Sequence, residues 1–62
     1  MNRPRFKSGD RVVIKSKGIT GHICVVDRQG GGVYWGVEPS YDIQTPNMIF
    51  KHVPDSDLKP CS

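Results

Sequence analysis

His22 and Cys24, two apart in Gly21-His22-Ile23-Cys24-Val25-Val26, are the side chains best suited to covalent chemistry in this chain. A thiol beside an imidazole becomes a nucleophile when a third group orients the ring. Residues i and i+2 of an extended segment lie on one face, so the pair is geometrically open, but nothing marks an orienting partner. The carboxylates available for acid–base work, Asp27, Glu38, Asp42, Asp55 and Asp57, have no spacing that gathers them into one pocket. His22 and Cys24 are also two ligands of the type that holds zinc, and His52 and Cys61 add two more. Zinc sites are ordinarily built from Cys-x-x-Cys knuckles, and the sequence contains none. The expectation is a protein without catalytic residues, metal or cofactor, in which Cys24 is a buried thiol and Cys61 a loose one.

Binding chemistry is better represented. Nine Lys and Arg against six Asp and Glu give a net charge of +3. Arg11, Val13 and Lys15 share the outward face of a first strand, Lys17 follows in the adjoining loop, and Arg5 lies in a basic lead-in, Arg3-Pro4-Arg5-Phe6-Lys7. A stripe of this kind suits the phosphates of a nucleic acid, so Arg11, Lys15, Lys17 and Arg5 are the candidate contacts. A solvated face with scattered charges accounts for the same residues. Among the aromatics, Trp35 alternates with Val33 and Val37 and is expected in the core. Tyr34 points the other way and Tyr41 follows in a loop, so these two form a candidate groove for a protein partner.

The elements that must position these groups are short strands. A chain of 62 residues is one domain at most, and a domain of that size buries only about 60% of the surface its unfolded chain exposes. Gly9-Asp10 turns into a first strand in which Val12 and Ile14 alternate with Arg11, Val13 and Lys15. A second strand covers about 21–28, with Ile23 and Val25 on one face and His22, Cys24 and Val26 on the other, which implies strong curvature. Gln29-Gly30-Gly31-Gly32 makes a turn without the helix or Lys-Ser/Thr pair of a phosphate-binding loop. A third strand is expected over 33–38, a loop over 40–47 and a fourth strand over 48–53. The acidic and hydroxyl residues of 54–58 read as a single 3₁₀ turn, and Leu58-Lys59-Pro60 as a closing strand.

Four or five short strands with a 3₁₀ turn before the last describe an all-β, SH3-like barrel. The domain reading is a flexible basic arm over 1–6, the barrel over 7–60 and a tail over 61–62. Gly9-Asp10-x-Val12-x-Ile14 followed by Gly18-x-x-Gly21-x-Ile23 resembles the KOW pattern of ribosomal and transcription-elongation proteins. Phe50 followed by Asp57-Leu58 resembles the closing segment of bacterial SH3-like domains. These resemblances imply a partner that is nucleic acid or a ribonucleoprotein or transcription complex. A second resemblance joins Gly9-Asp10-Arg11-Val12, Gly21-x-Ile23 and Val37-Glu38-Pro39-Ser40 to the plasmid-borne type II dihydrofolate reductases, SH3-like barrels that assemble as tetramers around one pore. Their first-strand lysine falls here on Ile14. Their fourth-strand Val-Gln-Ile-Tyr reads Asn47-Met48-Ile49-Phe50, in which only Ile49 is retained. That resemblance implies a fold and self-assembly, and no reductase activity. No apolar run approaches the ~20 residues that span a bilayer, and two cysteines without a leader segment are expected in a reducing, cytoplasmic compartment.

Overall fold

The structure is a computed structural model that describes residues 3–61; the outermost residues of the expected arm and tail, Met1, Asn2 and Ser62, lie outside the described residues. Five strands, β1 (Arg11–Ile14), β2 (Ile19–Asp27), β3 (Ser40–Gln44), β4 (Ile49–Pro54) and β5 (Leu58–Pro60), form one antiparallel sheet in the order β4-β3-β2-β1-β5. Two 3₁₀ turns interrupt them, Gly32–Tyr34 before β3 and Asp55–Asp57 before β5. This is the expected all-β architecture of five short antiparallel strands, including the turn that precedes the last strand. No helix among the described residues is long and apolar enough to cross a membrane.

The sheet bends around one cluster of Phe6, Val12, Ile14, Ile23, Tyr41, Ile43, Val53 and Leu58, with Val26 and Phe50 packed against it. β1 follows its sequence alternation: Val12 and Ile14 are buried and Arg11 is exposed. β2 does not. Its register with β3 passes from Ile23↔Ile43 directly to Val25↔Asp42, so Cys24 is an extra residue in a β-bulge. One inserted residue reverses the alternation beyond it. Val26 therefore turns toward the core, and Val25, expected beside Ile23, is exposed. β4 carries a second irregularity where Lys51 and His52 oppose the single residue Asp42, and His52 has φ 57.

The third strand requires the main correction. Residues 33–38 are a 3₁₀ turn and loop, and the strand lies in Ser40–Gln44, the segment expected to be the loop. Left-handed backbone at Gly30 and Gly36, with φ 88 and 75, breaks the extended run that the Val-x-Trp-x-Val spacing imitates. At Gly30 a Cβ would strike the carbonyl oxygens of Tyr34 and Glu38, so the loop folds tightly enough there to need glycine. Tyr41 and Trp35 accordingly exchange the places expected of them. Tyr41 is 1% exposed and sits in the core beside Phe6, whereas Trp35 is 70% exposed. The core positions of β3 were present in sequence as Tyr41, Ile43 and Thr45, alternating with Asp42 and Gln44.

Candidate nucleic-acid interface

Each of the six carboxylates has an acceptor role within the fold. Asp10 accepts from the Lys7 amide at 3.0 Å, Asp27 from the Gln29 amide at 3.2 Å and Asp42 from the His52 amide at 3.4 Å. Glu38 accepts from the amide and hydroxyl of Ser56, and Asp57 from the amide and hydroxyl of Ser16. Asp55 is the most heavily bonded. It accepts from the Arg5 Nε at 2.5 Å, the Arg5 amide and the Tyr41 hydroxyl. Burial alone would raise the Asp55 carboxyl, but hydrogen bonds from Tyr41 and Arg5 outweigh it and hold the group below the ordinary aspartate value. Burial, then the bond to Asp55, pushes the Tyr41 hydroxyl up to about 12.

Arg5 closes this seam. Besides its ion pair with Asp55, its guanidinium donates to the carbonyls of Asp55 and Leu58 at 2.7 and 2.8 Å. The sequence reading placed Arg5 on a flexible arm as a phosphate contact; the structure uses it to tie the lead-in to the second 3₁₀ turn. The neighbouring Phe6 is buried in the core, so the folded unit begins before residue 7. Arg5–Asp55 is the only ion pair among the described residues.

The remaining cations face outward. β1 pairs with both β2 and β5, so Val13 lies between Thr20 and Lys59, and Arg11 lies directly across from His22. His22 in turn lies across from Gln44. Because directly opposed residues project to the same side, the outer surface of these strands presents Arg11, Val13, Thr20, His22, Gln44 and Lys59, with Lys15 just past the end of β1. No carboxylate is among them. Arg11, His22, Gln44 and Thr20, with Gly9, Gly21, Thr45 and Pro46, line an open groove of about 660 Å³. Gly21 allows β2 and β3 to approach there, since a Cβ would come within 2.5 Å of the Gln44 carbonyl oxygen.

The sequence-selected residues are only partly brought together. Arg11 and Lys15 share the outer face as expected. Lys17 turns away toward β4, where its ammonium lies 5.2 Å from the centre of the Phe50 ring. The Tyr34–Tyr41 groove does not form, because Tyr41 is interior and its hydroxyl is bonded to Asp55; Tyr34 is half-buried in the first 3₁₀ turn. Exposed apolar surface appears one residue along, at Val33, Trp35 and Val37. Their loop is fixed by bonds from the Gly36 amide to the Gln29 carbonyl at 2.7 Å and from the Gly31 amide to the Ser40 hydroxyl at 2.8 Å.

Sequence reasoning weighed His22 only for covalent and metal chemistry, and did not place it, Lys59 or Gln44 beside Arg11. His22 joins Arg11 through the register of the β1–β2 hairpin, and Lys59 and Gln44 join through the pairing of β5 and β3, which no local pattern reveals. Among the described residues neither the His22 ring nor the Cys24 thiol has a hydrogen-bond partner, Cys24 and Cys61 are free thiols, and no group of three or more metal-ligating side chains occurs. Compared with protein-family models, curated proteins and solved structures, the chain matches none.

Proposed function

We propose that this chain is a small, non-catalytic binding module that holds a nucleic-acid backbone, alone or within a ribonucleoprotein or transcription complex, on the outer face of β1, β2 and β5. One observation carries the reading: Arg11, Lys15 and Lys59 project from a face that, among the described residues, contains no carboxylate, while all six Asp and Glu side chains are bonded within the fold. Cations without intramolecular partners contribute most when they displace counterions from phosphates. A cytoplasmic setting suits two free thiols.

Fluorescence anisotropy with labelled single-stranded and duplex oligonucleotides tests it. Three phosphate contacts predict a slope of log affinity against log salt of about −3 on a duplex. Joint substitution Arg11→Glu and Lys15→Glu should abolish retention. No binding at low salt, or binding indifferent to salt and to those changes, would rule the reading out.

A second reading, contact with a protein surface or another copy of the chain, is favoured by Val33, Trp35 and Val37, which are 86%, 70% and 63% exposed on a loop with fixed backbone. The Tyr34/Tyr41 groove and the sheet edges favour it less. β5 has three residues and ends on Lys59 and Pro60, and β4 is bulged at His52. Sedimentation across a concentration series distinguishes the readings: association lost in Trp35→Ala, with oligonucleotide binding absent, would favour the protein surface.

A further inference from the structure

The groove on the outer face is built around three side chains set abreast. Backbone register places Arg11 on β1 opposite His22 on β2, and His22 opposite Gln44 on β3. Adjacent strands lie about 4.8 Å apart, so the outer two positions span a distance comparable to one phosphodiester and its neighbours. All three line the same cavity. The Gln44 amide nitrogen donates to the Thr45 carbonyl at 2.8 Å, which anchors that side chain. Among the described residues, the Arg11 guanidinium and the His22 ring have no partner.

We propose that the Arg11–His22–Gln44 row is a phosphodiester subsite in which His22 supplies the second cation when protonated, so that the hold on a nucleic-acid backbone tightens as the pH falls. The proposal rests on the reading of this face as a nucleic-acid interface and specifies where one phosphate sits and what regulates its binding.

The surroundings of His22 leave that role to a ligand. On the β1 and β5 side stand Arg11, Lys59 and the Cys61 thiol, whose residue is bonded to the Arg11 carbonyl through its amide at 3.1 Å. The turn before β1 carries Lys7 and Asp10, and the Asp10 carboxylate is occupied by the Lys7 amide. β3 and the turn after it contribute only the neutral Gln44, Thr45 and Pro46. Among the described residues, no carboxylate bonds to the His22 ring. A phosphate seated between Arg11 and His22 is therefore the anion that favours the imidazolium, and by linkage its binding takes up a proton. The other histidine, His52, is on β4 with its ring against Gly31, outside the groove. It serves as an internal control.

The test is titration of labelled oligothymidylate, whose bases do not titrate in this range, at constant ionic strength near pH 5.5 and near pH 8. Binding should be ~5-fold tighter at the lower pH, with a salt slope steeper by about 1. His22→Gln should remove both effects and His52→Gln should retain them. His22→Lys, with a permanent charge, should hold the acid-side affinity at both pH values. Circular dichroism confirms that each variant is folded. Oligonucleotide binding that is insensitive to pH, or a pH effect that survives His22→Gln or vanishes in His52→Gln, would overturn the subsite and leave the wider interface standing. Absence of binding at both pH values would remove the interface and the subsite together.

Discussion

The seam at Asp55 and the outer face of β1, β2 and β5 treat polar groups in opposite ways. At the seam the Asp55 carboxylate, the Tyr41 hydroxyl and the Arg5 guanidinium satisfy one another, and no buried side-chain nitrogen or oxygen among the described residues lacks a partner. On the outer face Arg11, Lys59 and His22 have no side-chain partner among the described residues. A buried polar group left unmatched costs ~1–3 kcal/mol, which a chain of this size cannot absorb repeatedly. A hydrated cation at the surface carries no such penalty. The matched cluster therefore belongs to folding, and the unmatched row is free for a ligand.

The contrast is sharpest at Asp55. Asp55→Asn leaves Arg5 and Tyr41 in place without their anion; because the Arg5 side chain is half-exposed and its charge stays hydrated, the loss should be about 2 kcal/mol, mostly from the hydrogen bonds to the carboxylate, against a total stability on the order of 3–9 kcal/mol for 62 residues. Thermal unfolding followed by circular dichroism measures it. A loss as small as that of a surface change would place the seam on a level with the outer face. Tyr41→Phe keeps the core ring and removes the hydroxyl, and urea unfolding should show a loss of about 1–1.5 kcal/mol.

The same groups set the pH limits of the fold. Because the Asp55 carboxyl is held low, its contribution is complete above the unfolded-state value near 4 and drains away as the pH falls through the folded one. Because Tyr41 is raised to about 12, its contribution is complete below the ordinary tyrosine value near 10 and is lost as the pH rises toward 12. Stability measured against pH should be flat in these two contributions across the neutral range; decline from pH 9 to 7 would contradict the assignment.

On the outer face the expected pattern reverses. Arg11→Glu with Lys59→Glu should weaken oligonucleotide binding at least ~10-fold while shifting the unfolding midpoint little. A large loss of stability would mean that the face is structural after all. The smallest effect is expected at Trp35, where replacement by alanine should change stability by no more than ~0.5 kcal/mol, as for a surface site; a loss of several times that would return Trp35 to the core.

The sequence was most readable where partners are close along the chain. The β1–β2 hairpin, the Asp55–Asp57 turn and β5 follow from turn residues and alternation over a few positions. Reading failed where spacing and backbone conformation disagree. Val33, Trp35 and Val37 have strand periodicity, but left-handed glycines before the segment and at Gly36 within it deny them a strand, and Ser40–Gln44 takes the place between β2 and β4. The bulge at Cys24 is equally silent in sequence, since its presence depends on the register of β2 against β3. Arg5 was misread because its anion lies fifty residues away. Of the proposed interface, Arg11 and Lys15 were visible from β1 alone; His22 needed the register of the β1–β2 hairpin, and Lys59 and Gln44 the assembled sheet.

Trp35, the sole indole of the chain, already stands in water while the protein is folded. Its emission thus has little room to redden when the chain denatures, and a melting curve recorded through it would look almost featureless. Any blue shift reports something new settling over the 33–37 tip, which makes the native protein its own optical probe of contact at that loop.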